Sequence, residues 1–187
     1  WERALETLNE MSLSALVPNV VTYGAATSAC DGGGRLWQLA LILLEQMATK
    51  RAIMPNVVSY DAAMSACEKH QQWGRVLDLL GSMQSHLVLP QLVSFNVAIS
   101  ACAGGRRWSD VLRLLSRASL SHIELDVVTH AATVHACAKG DRWWAGLNTL
   151  RVMLQSGVTP NAITCVAAVS ACSNTWHWRA AGKLLSL

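Results

Sequence analysis

Apolar residues recur along this chain at helical spacing, and each series begins at a tryptophan. After Trp73, for example, Val76, Leu77, Leu80 and Met83 stand three, four, seven and ten positions further on. This spacing places apolar side chains on one face of a helix, whose period is 3.6 residues. We therefore predict a half-buried helix, with the tryptophan in the core, at each of Trp1, Trp37, Trp73, Trp108, Trp143 and Trp178.

A second kind of segment is rich in alanine and ends in cysteine. Five such segments end at Cys30, Cys67, Cys102, Cys137 and Cys172, so the spacing is 37 residues once and 35 residues three times. We predict a helix in each segment, beginning near a V-V-(S/T) motif. Because hydroxyl side chains favour the start of a helix, we expect caps at Thr22, Ser59, Ser94, Thr129 and Thr164.

The fixed period predicts a repeat protein whose units are pairs of helices stacked on their neighbours. Polar turns separate the two helices of a unit, and most units are separated from the next by a proline. The predicted fold is all-α, an α-solenoid of helix-turn-helix repeats in a single array. Its predicted parts are the second helix of a truncated repeat (1–19), complete repeats (20–56, 57–91, 92–126 and 127–161) and a partial repeat (162–187).

The composition agrees with a packed repeat array. Apolar residues make up 52% of the 187 residues and charged residues only 14%, which excludes full disorder. The longest purely apolar run, Leu39–Leu44, is far too short to span a membrane, so we predict no membrane partner. The net charge of +3 permits a polyanionic partner but is too small to indicate one by itself.

The cysteines and histidines do not predict a metal site or a catalytic site. Five of the six cysteines occupy one equivalent position, and stacked helices about 8–10 Å apart keep such positions beyond disulfide distance. We interpret them as small buried thiols. The six histidines fall at unrelated positions, and no nucleophile–base pair or phosphate loop is present. We therefore predict no catalytic residue, metal, cofactor or small-molecule substrate.

Taken together, the motifs V-V-(S/T)-(Y/F)-x-x-x-x-S-A-C, R-x-W-x-x-A-L-x-L-L-x-x-M and x-P-(N/D) resemble the pentatricopeptide repeat family, in phase over the whole chain. The resemblance implies a right-handed superhelix whose first helices line a concave groove. It also implies non-catalytic binding of single-stranded RNA, about one base per repeat. The expected role is processing, stabilisation or translation of a transcript in a mitochondrion or plastid. Any targeting segment is expected upstream, in a longer protein.

The resemblance assigns three roles to residues of this chain. Two positions per repeat would read the edge of a base, and these are Asn19, Gly24, Asn56, Asp61, Gln91, Asn96, Asp126, Ala131, Asn161 and Val166. The second residue of each V-V pair would wedge between bases, at Val21, Val58, Val93, Val128 and Ile163. A lysine two residues after the cysteine would face phosphate, at Lys69 and Lys139.

The base-reading residues follow the family pattern unevenly. Asn96 with Asp126 matches the family's uracil-preferring pair. Gly24 with Asn56 and Ala131 with Asn161 each lack one side chain that could hydrogen-bond, which implies at most an adenine preference. Asp61 with Gln91 fits no common pair, and Val166 is apolar. The resemblance thus implies a well-kept scaffold whose sequence specificity is weak.

Other interpretations of the same residues stay open. The asparagines and the aspartate between repeats are also typical turn and cap residues, the valines could be ordinary surface, and the lysines could be solvated charges. Two other functions are compatible with the pattern. One is a protein–protein scaffold that uses the same groove for a peptide. The other is the RNA-targeting part of a longer enzyme.

Overall fold

The computed structural model describes residues 1–14, 18–30, 36–50 and 53–174. Within these ranges the regular structure is entirely helical, which confirms the predicted all-α class. Ten helices follow one another: α1 (Glu2–Leu13), α2 (Val20–Ala29), α3 (Trp37–Lys50), α4 (Val57–Lys69), α5 (Trp73–Ser85), α6 (Leu92–Gly104), α7 (Trp108–Leu120), α8 (Val127–Lys139), α9 (Trp143–Gln155) and α10 (Ala162–Asn174). Trp178 and the side chain of Cys172 lie outside the described part of the chain.

The helices pack in the manner of a repeat protein within each of two compact units. The units comprise residues 1–97 and 98–187. In the first unit, α2 packs against α3 and α4, and α4 packs against α5. In the second unit, α8 packs against α9 and α10. Within the first unit α2 and α4 are therefore neighbours, and within the second unit α8 and α10 are, so equivalent residues of these helices lie side by side.

The capping prediction was wrong about which residue caps. The cap is the asparagine or aspartate three positions before the hydroxyl residue, and its Oδ1 accepts a hydrogen bond from the backbone N–H of that residue. These N···O distances are 3.0 Å for Asn19–Thr22, 3.0 Å for Asn56–Ser59, 2.8 Å for Asp126–Thr129 and 2.9 Å for Asn161–Thr164. A short acceptor side chain at the cap reaches the third N–H of a helix directly.

The hydroxyl residues reinforce these caps instead of forming them. The hydroxyls of Ser59, Thr129 and Thr164 donate to the same Oδ1 at 3.0, 2.7 and 2.7 Å. Each of these cap oxygens therefore accepts two hydrogen bonds, one from a backbone N–H and one from a hydroxyl. This arrangement fixes the start of α4, α8 and α10 at equivalent positions.

The predicted apolar stripes face the core, but the tryptophans that head them do not lie deep in it. In α5, Val76, Leu80 and Met83 are buried, whereas Trp73 is only half-buried. The same holds for Trp37, Trp108 and Trp143, while Trp1 is exposed. The expectation that the tryptophans belong to the core was therefore too strong. Each stands at the first turn of its helix, where a large ring covers the edge of the core without being enclosed.

Four of the equivalent thiols are buried, as expected. Cys30, Cys67, Cys102 and Cys137 are free and buried, and burial raises the pKa of Cys67, Cys102 and Cys137 to about 11. Burial also raises the pKa of the Cys30 thiol. Cys165 is different because it is exposed.

This difference predicts selective thiol labelling of the folded chain. The thiolate is the reactive form, and it is scarce at neutral pH wherever the pKa is raised and the sulfur is enclosed. A short pulse of iodoacetamide at pH 7.5 should modify Cys165 and spare Cys30, Cys67, Cys102 and Cys137, as measured by peptide mass spectrometry. The urea-unfolded chain, as control, should label at all of them. Labelling of any of the four as fast as Cys165 would contradict the burial seen here.

Candidate functional site

In both units, an exposed β-branched side chain recurs at the start of each first helix. Each belongs to the second residue of its helix, and each is exposed: 75% for Val21, 63% for Val58, 55% for Val93, 63% for Val128 and 70% for Ile163. These are the five residues that the sequence predicts to wedge between bases. Scattered apolar residues need no explanation, but the same exposed position in every repeat indicates a surface that a partner covers.

In the second unit, two of these residues border a cleft between α8 and α10. The cleft has a volume of about 890 Å³, within the range of ligand-binding sites. Along α8 its lining residues include Val128, Ala131, His135 and Lys139. They stand at steps of three and four residues, so they follow one face of the helix over about 16 Å. Across the cleft, α10 contributes Ile163, Val166 and Ser170.

Three of the predicted base-reading residues meet in this cleft, namely Ala131, Asn161 and Val166. Only Asn161 carries a polar side chain. Its Oδ1 accepts two hydrogen bonds at the start of α10, from the backbone N–H and from the hydroxyl of Thr164. Because an amide oxygen has two lone pairs, the group that Asn161 can offer a ligand is its NH₂. This end of the cleft therefore presents a hydrogen-bond donor, and its walls present apolar surface.

Basic side chains supply the charge of the cleft. Lys139 is exposed in the last turn of α8, and Arg106 lines the cleft from the turn after α6. Among the described residues, one carboxylate lines the cleft, that of Asp141. The lysine was predicted from sequence, but Arg106 was missed because it belongs to the preceding repeat. It has a positive φ of 58°, at the turn position that Gln71 and Asp141 also occupy with φ of 56° and 55°.

His135 is a second residue that the sequence analysis missed. It is exposed, it lines the cleft, and burial together with the charge of Lys139 lowers its pKa. The imidazole is therefore neutral at pH 7.5. A signal was available in the sequence, since the equivalent residues of the other repeats are all serine: Ser28, Ser65, Ser100 and Ser170.

In the first unit the predicted base-reading residues differ in how accessible they are. Asn19, Asn56 and Gln91 are exposed, whereas Asp61 and Asn96 are half-buried. Gly24 is buried, with the Ser59 hydroxyl 3.9 Å from the position of an added Cβ. The first complete repeat therefore offers a base little beyond Val21 and the cap residues. Lys69, the other predicted phosphate contact, is exposed in the last turn of α4, where a cation also favours the helix dipole.

Asp61 and Gln91 are linked by two hydrogen bonds through Ser94. The Ser94 hydroxyl donates to Oδ1 of Asp61 at 2.6 Å, and the backbone N–H of Gln91 donates to Ser94 Oγ at 3.2 Å. Burial raises the pKa of the Asp61 carboxyl, and the bond from Ser94 opposes that shift. Asp61 thus orders the start of α6, which suggests a structural reason for an aspartate at this position.

Neither a metal-binding cluster nor a membrane-spanning helix is found among the described residues. No three His, Cys, Asp or Glu side chains in this part of the chain lie close enough together to hold a metal ion. None of the described helices is long and apolar enough to cross a lipid bilayer.

Comparison with known proteins finds a family match for the middle of the chain. Residues 42–105 match the family model described as a pentatricopeptide repeat domain. No curated protein is significantly similar to the chain in sequence.

Solved structures share the fold over most of the chain. Maize PPR10, a pentatricopeptide repeat protein, is 22% identical with a TM-score of 0.75; the match covers 99% of this chain and 26% of PPR10. PPR10 in complex with an 18-nt psaJ RNA element has a TM-score of 0.71 at 17% identity, covering 94% and 26%. The PPR domain of Arabidopsis thaliana protein-only RNase P 1, in complex with tRNA, has a TM-score of 0.71 at 13% identity, covering 81% and 80%. The chain thus spans about a quarter of the length of PPR10.

Proposed function

We propose that this chain is a pentatricopeptide repeat protein that binds single-stranded RNA along its first helices and does not itself catalyse a reaction; the family match over residues 42–105 supports this. The observation that carries the proposal is the cleft between α8 and α10, where the exposed Val128 and Ile163 stand beside Lys139 and Arg106. Apolar surface beside positive charge suits a nucleotide, whose base is flat and whose phosphate is anionic. The RNA-bound structures of PPR10 and of the RNase P 1 domain support the same class of partner.

In this proposal, Val128 and Ile163 hold a base by covering its faces, while Lys139 and Arg106 attract the adjoining phosphates. Asn161 donates from its NH₂ group to an acceptor on the edge of the base. Ala131 and Val166 add no hydrogen bond, so the sequence preference of this cleft is weak. The match to the uracil-preferring pair by Asn96 and Asp126 remains a prediction from sequence.

The biological setting follows from the family and is also part of the proposal. We expect the chain to act in processing, stability or translation of a transcript in a mitochondrion or plastid. The similarity to the RNA-binding domain of RNase P 1 supports a second role, in which these repeats direct a longer enzyme to its RNA. Both roles require the same RNA-binding surface.

RNA binding should depend on salt in a predictable way. If about two phosphates are neutralised, the affinity should fall about sevenfold between about 50 mM and 200 mM salt, because bound counterions are released. Fluorescence anisotropy with labelled single-stranded oligonucleotides measures this directly. No binding to any RNA by a folded chain at low salt would overturn the proposal, and binding of apolar peptides instead would favour a protein scaffold.

Substitution of Val128 and Ile163 tests the proposed contact with the base more directly. Replacing both Val128 and Ile163 by serine should weaken RNA binding about fivefold at either salt concentration, since apolar contact with the base is lost. Val152→Ser is the matched control, because Val152 is an exposed valine of α9 that does not line the cleft. Circular dichroism should show that the helices are retained. Equal affinities for the double variant and the control would exclude a wedge role.

A further inference from the structure

We infer that His135 is an additional stacking platform for RNA, which gives the fourth complete repeat a preference for purines. The inference rests on the proposed function and extends it to a residue outside the three positions that resemblance assigns. The residues concerned lie on one face of α8. Val128, Ala131 and His135 follow each other along α8, and all three line the cleft.

Ala131 leaves the middle of this face open. A methyl group makes no hydrogen bond and leaves space that a longer side chain would occupy, so a base can lie on this face between Val128 and His135. The next side chain on the same face, one turn or about 6 Å further, is His135. Its ring is exposed, and within the described part of the chain it makes no hydrogen bond. It is therefore available to a ligand.

The chemistry of the ring fits a base better than a phosphate. Lys139 and Arg106 in the same lining already supply positive charge, while the imidazole is neutral at pH 7.5. A neutral aromatic ring contributes mainly by stacking, and histidine is among the side chains on which unstacked RNA bases lie. A serine, present at the equivalent position of the other four repeats, cannot do this.

We expect this arrangement to increase the binding affinity for purines more than for pyrimidines. A two-ring base presents a larger flat surface to the His135 ring than a one-ring base, and stacking increases with that surface. Asn161 at the other end of the lining donates through its NH₂ group, which suits the ring nitrogen acceptors of a purine. The proposed ligand is thus a purine nucleotide within a single strand, adenine in particular.

The test compares oligo(A) with oligo(U) by fluorescence anisotropy at pH 7.5, which avoids any need to know the binding register. His135→Ser should weaken oligo(A) binding about fivefold and oligo(U) binding by less than twofold. His135→Phe should retain the oligo(A) affinity, because it retains a flat ring. The salt dependence of both variants should equal that of the wild type, since no charge is removed.

His122→Ser is the matched control, as His122 is an exposed histidine of the same unit that does not line the cleft. An oligo(A) affinity of His135→Ser equal to that of His122→Ser would overturn the inference while leaving RNA binding intact. Equal losses in the serine and phenylalanine variants would also overturn it. Absence of RNA binding by the wild-type chain would instead contradict the proposed function.

Discussion

Replacing Gly140 by alanine should lower the free energy of unfolding by about 1–3 kcal/mol, the usual cost of overpacking. A Cβ at this position would lie 2.4 Å from Cδ1 and 2.8 Å from Cγ of Trp108. The backbone itself does not demand glycine, because Gly140 has φ −92° and ψ 7°. The residue is required by the close approach of the indole, which the guanidinium of Arg142 also covers at 4.7 Å.

Thermal unfolding by circular dichroism would measure this loss, and a double-mutant cycle would assign it. In a Trp108→Ala background, Gly140→Ala should be close to neutral, because the clashing ring is gone. Gly81→Ala is the matched control: nothing lies within 4 Å of its added Cβ in the interior of α5. That change should stabilise the chain by about 0.5–1 kcal/mol. A destabilisation by Gly140→Ala that persists without Trp108 would show that another contact is responsible.

Replacing His130 by phenylalanine should stabilise the chain by about 1–3 kcal/mol, the cost of a buried unpaired polar group. His130 is buried, and its Nδ1 has no hydrogen-bond partner in the structure. It occupies the position that Tyr23, Tyr60 and Phe95 fill in the preceding repeats, all of them buried. A phenylalanine therefore suits the site and removes the unpaired nitrogen.

The same substitution should change how stability depends on pH. Burial lowers the pKa of His130 from 6.5, an effect that the nearby Asp126 carboxylate partly opposes. The unfolded chain then binds more protons than the folded chain at about pH 6, so the wild-type free energy of unfolding falls as the pH falls through 6.5. Urea unfolding at pH 7.5 and 6.0 should show a smaller decrease for His130→Phe.

His135→Ser serves as the control for this experiment, since it leaves His130 in place and removes an exposed histidine. It should preserve the part of the pH dependence that comes from His130. If His130→Phe loses stability at pH 7.5 and keeps the full pH dependence of the wild type, the buried imidazole is not the cause.

The sequence was sufficient for the helices because each rests on a local pattern. The stripe that follows Trp73 and the alanine-rich segment before Cys67 predict α5 and α4, and both helices are present. It was not sufficient for the helix caps. Asn56 and Ser59 are both good capping residues, three positions apart, and only the backbone geometry shows that Asn56 accepts the bond from the Ser59 N–H.

Most residues of the candidate site were predicted through the family resemblance, and the others were found only in the structure. Val128 and Ile163 are 35 residues apart in sequence, and the packing of α8 against α10 places both on one cleft. Arg106 lines that cleft from the turn after α6. Because this turn belongs to the preceding repeat, an analysis of one repeat at a time does not connect Arg106 with the cleft. His135 stands where the other repeats have serine, which the sequence already shows. Only the structure shows that His135 lines the cleft beside Ala131, whose small side chain leaves the adjoining surface open.

The capping bonds also couple the residues between repeats to folding. Asn19, Asn56, Asp126 and Asn161 each cap a helix, so a substitution there should also lower the stability of the fold, by about 1 kcal/mol where the cap is lost. Gln91 takes the place of the cap before α6, where Asp61 and Ser94 form hydrogen bonds at the start of the helix instead. A redesign of the proposed base-reading positions should therefore place an acceptor on the preceding first helix wherever the cap is removed.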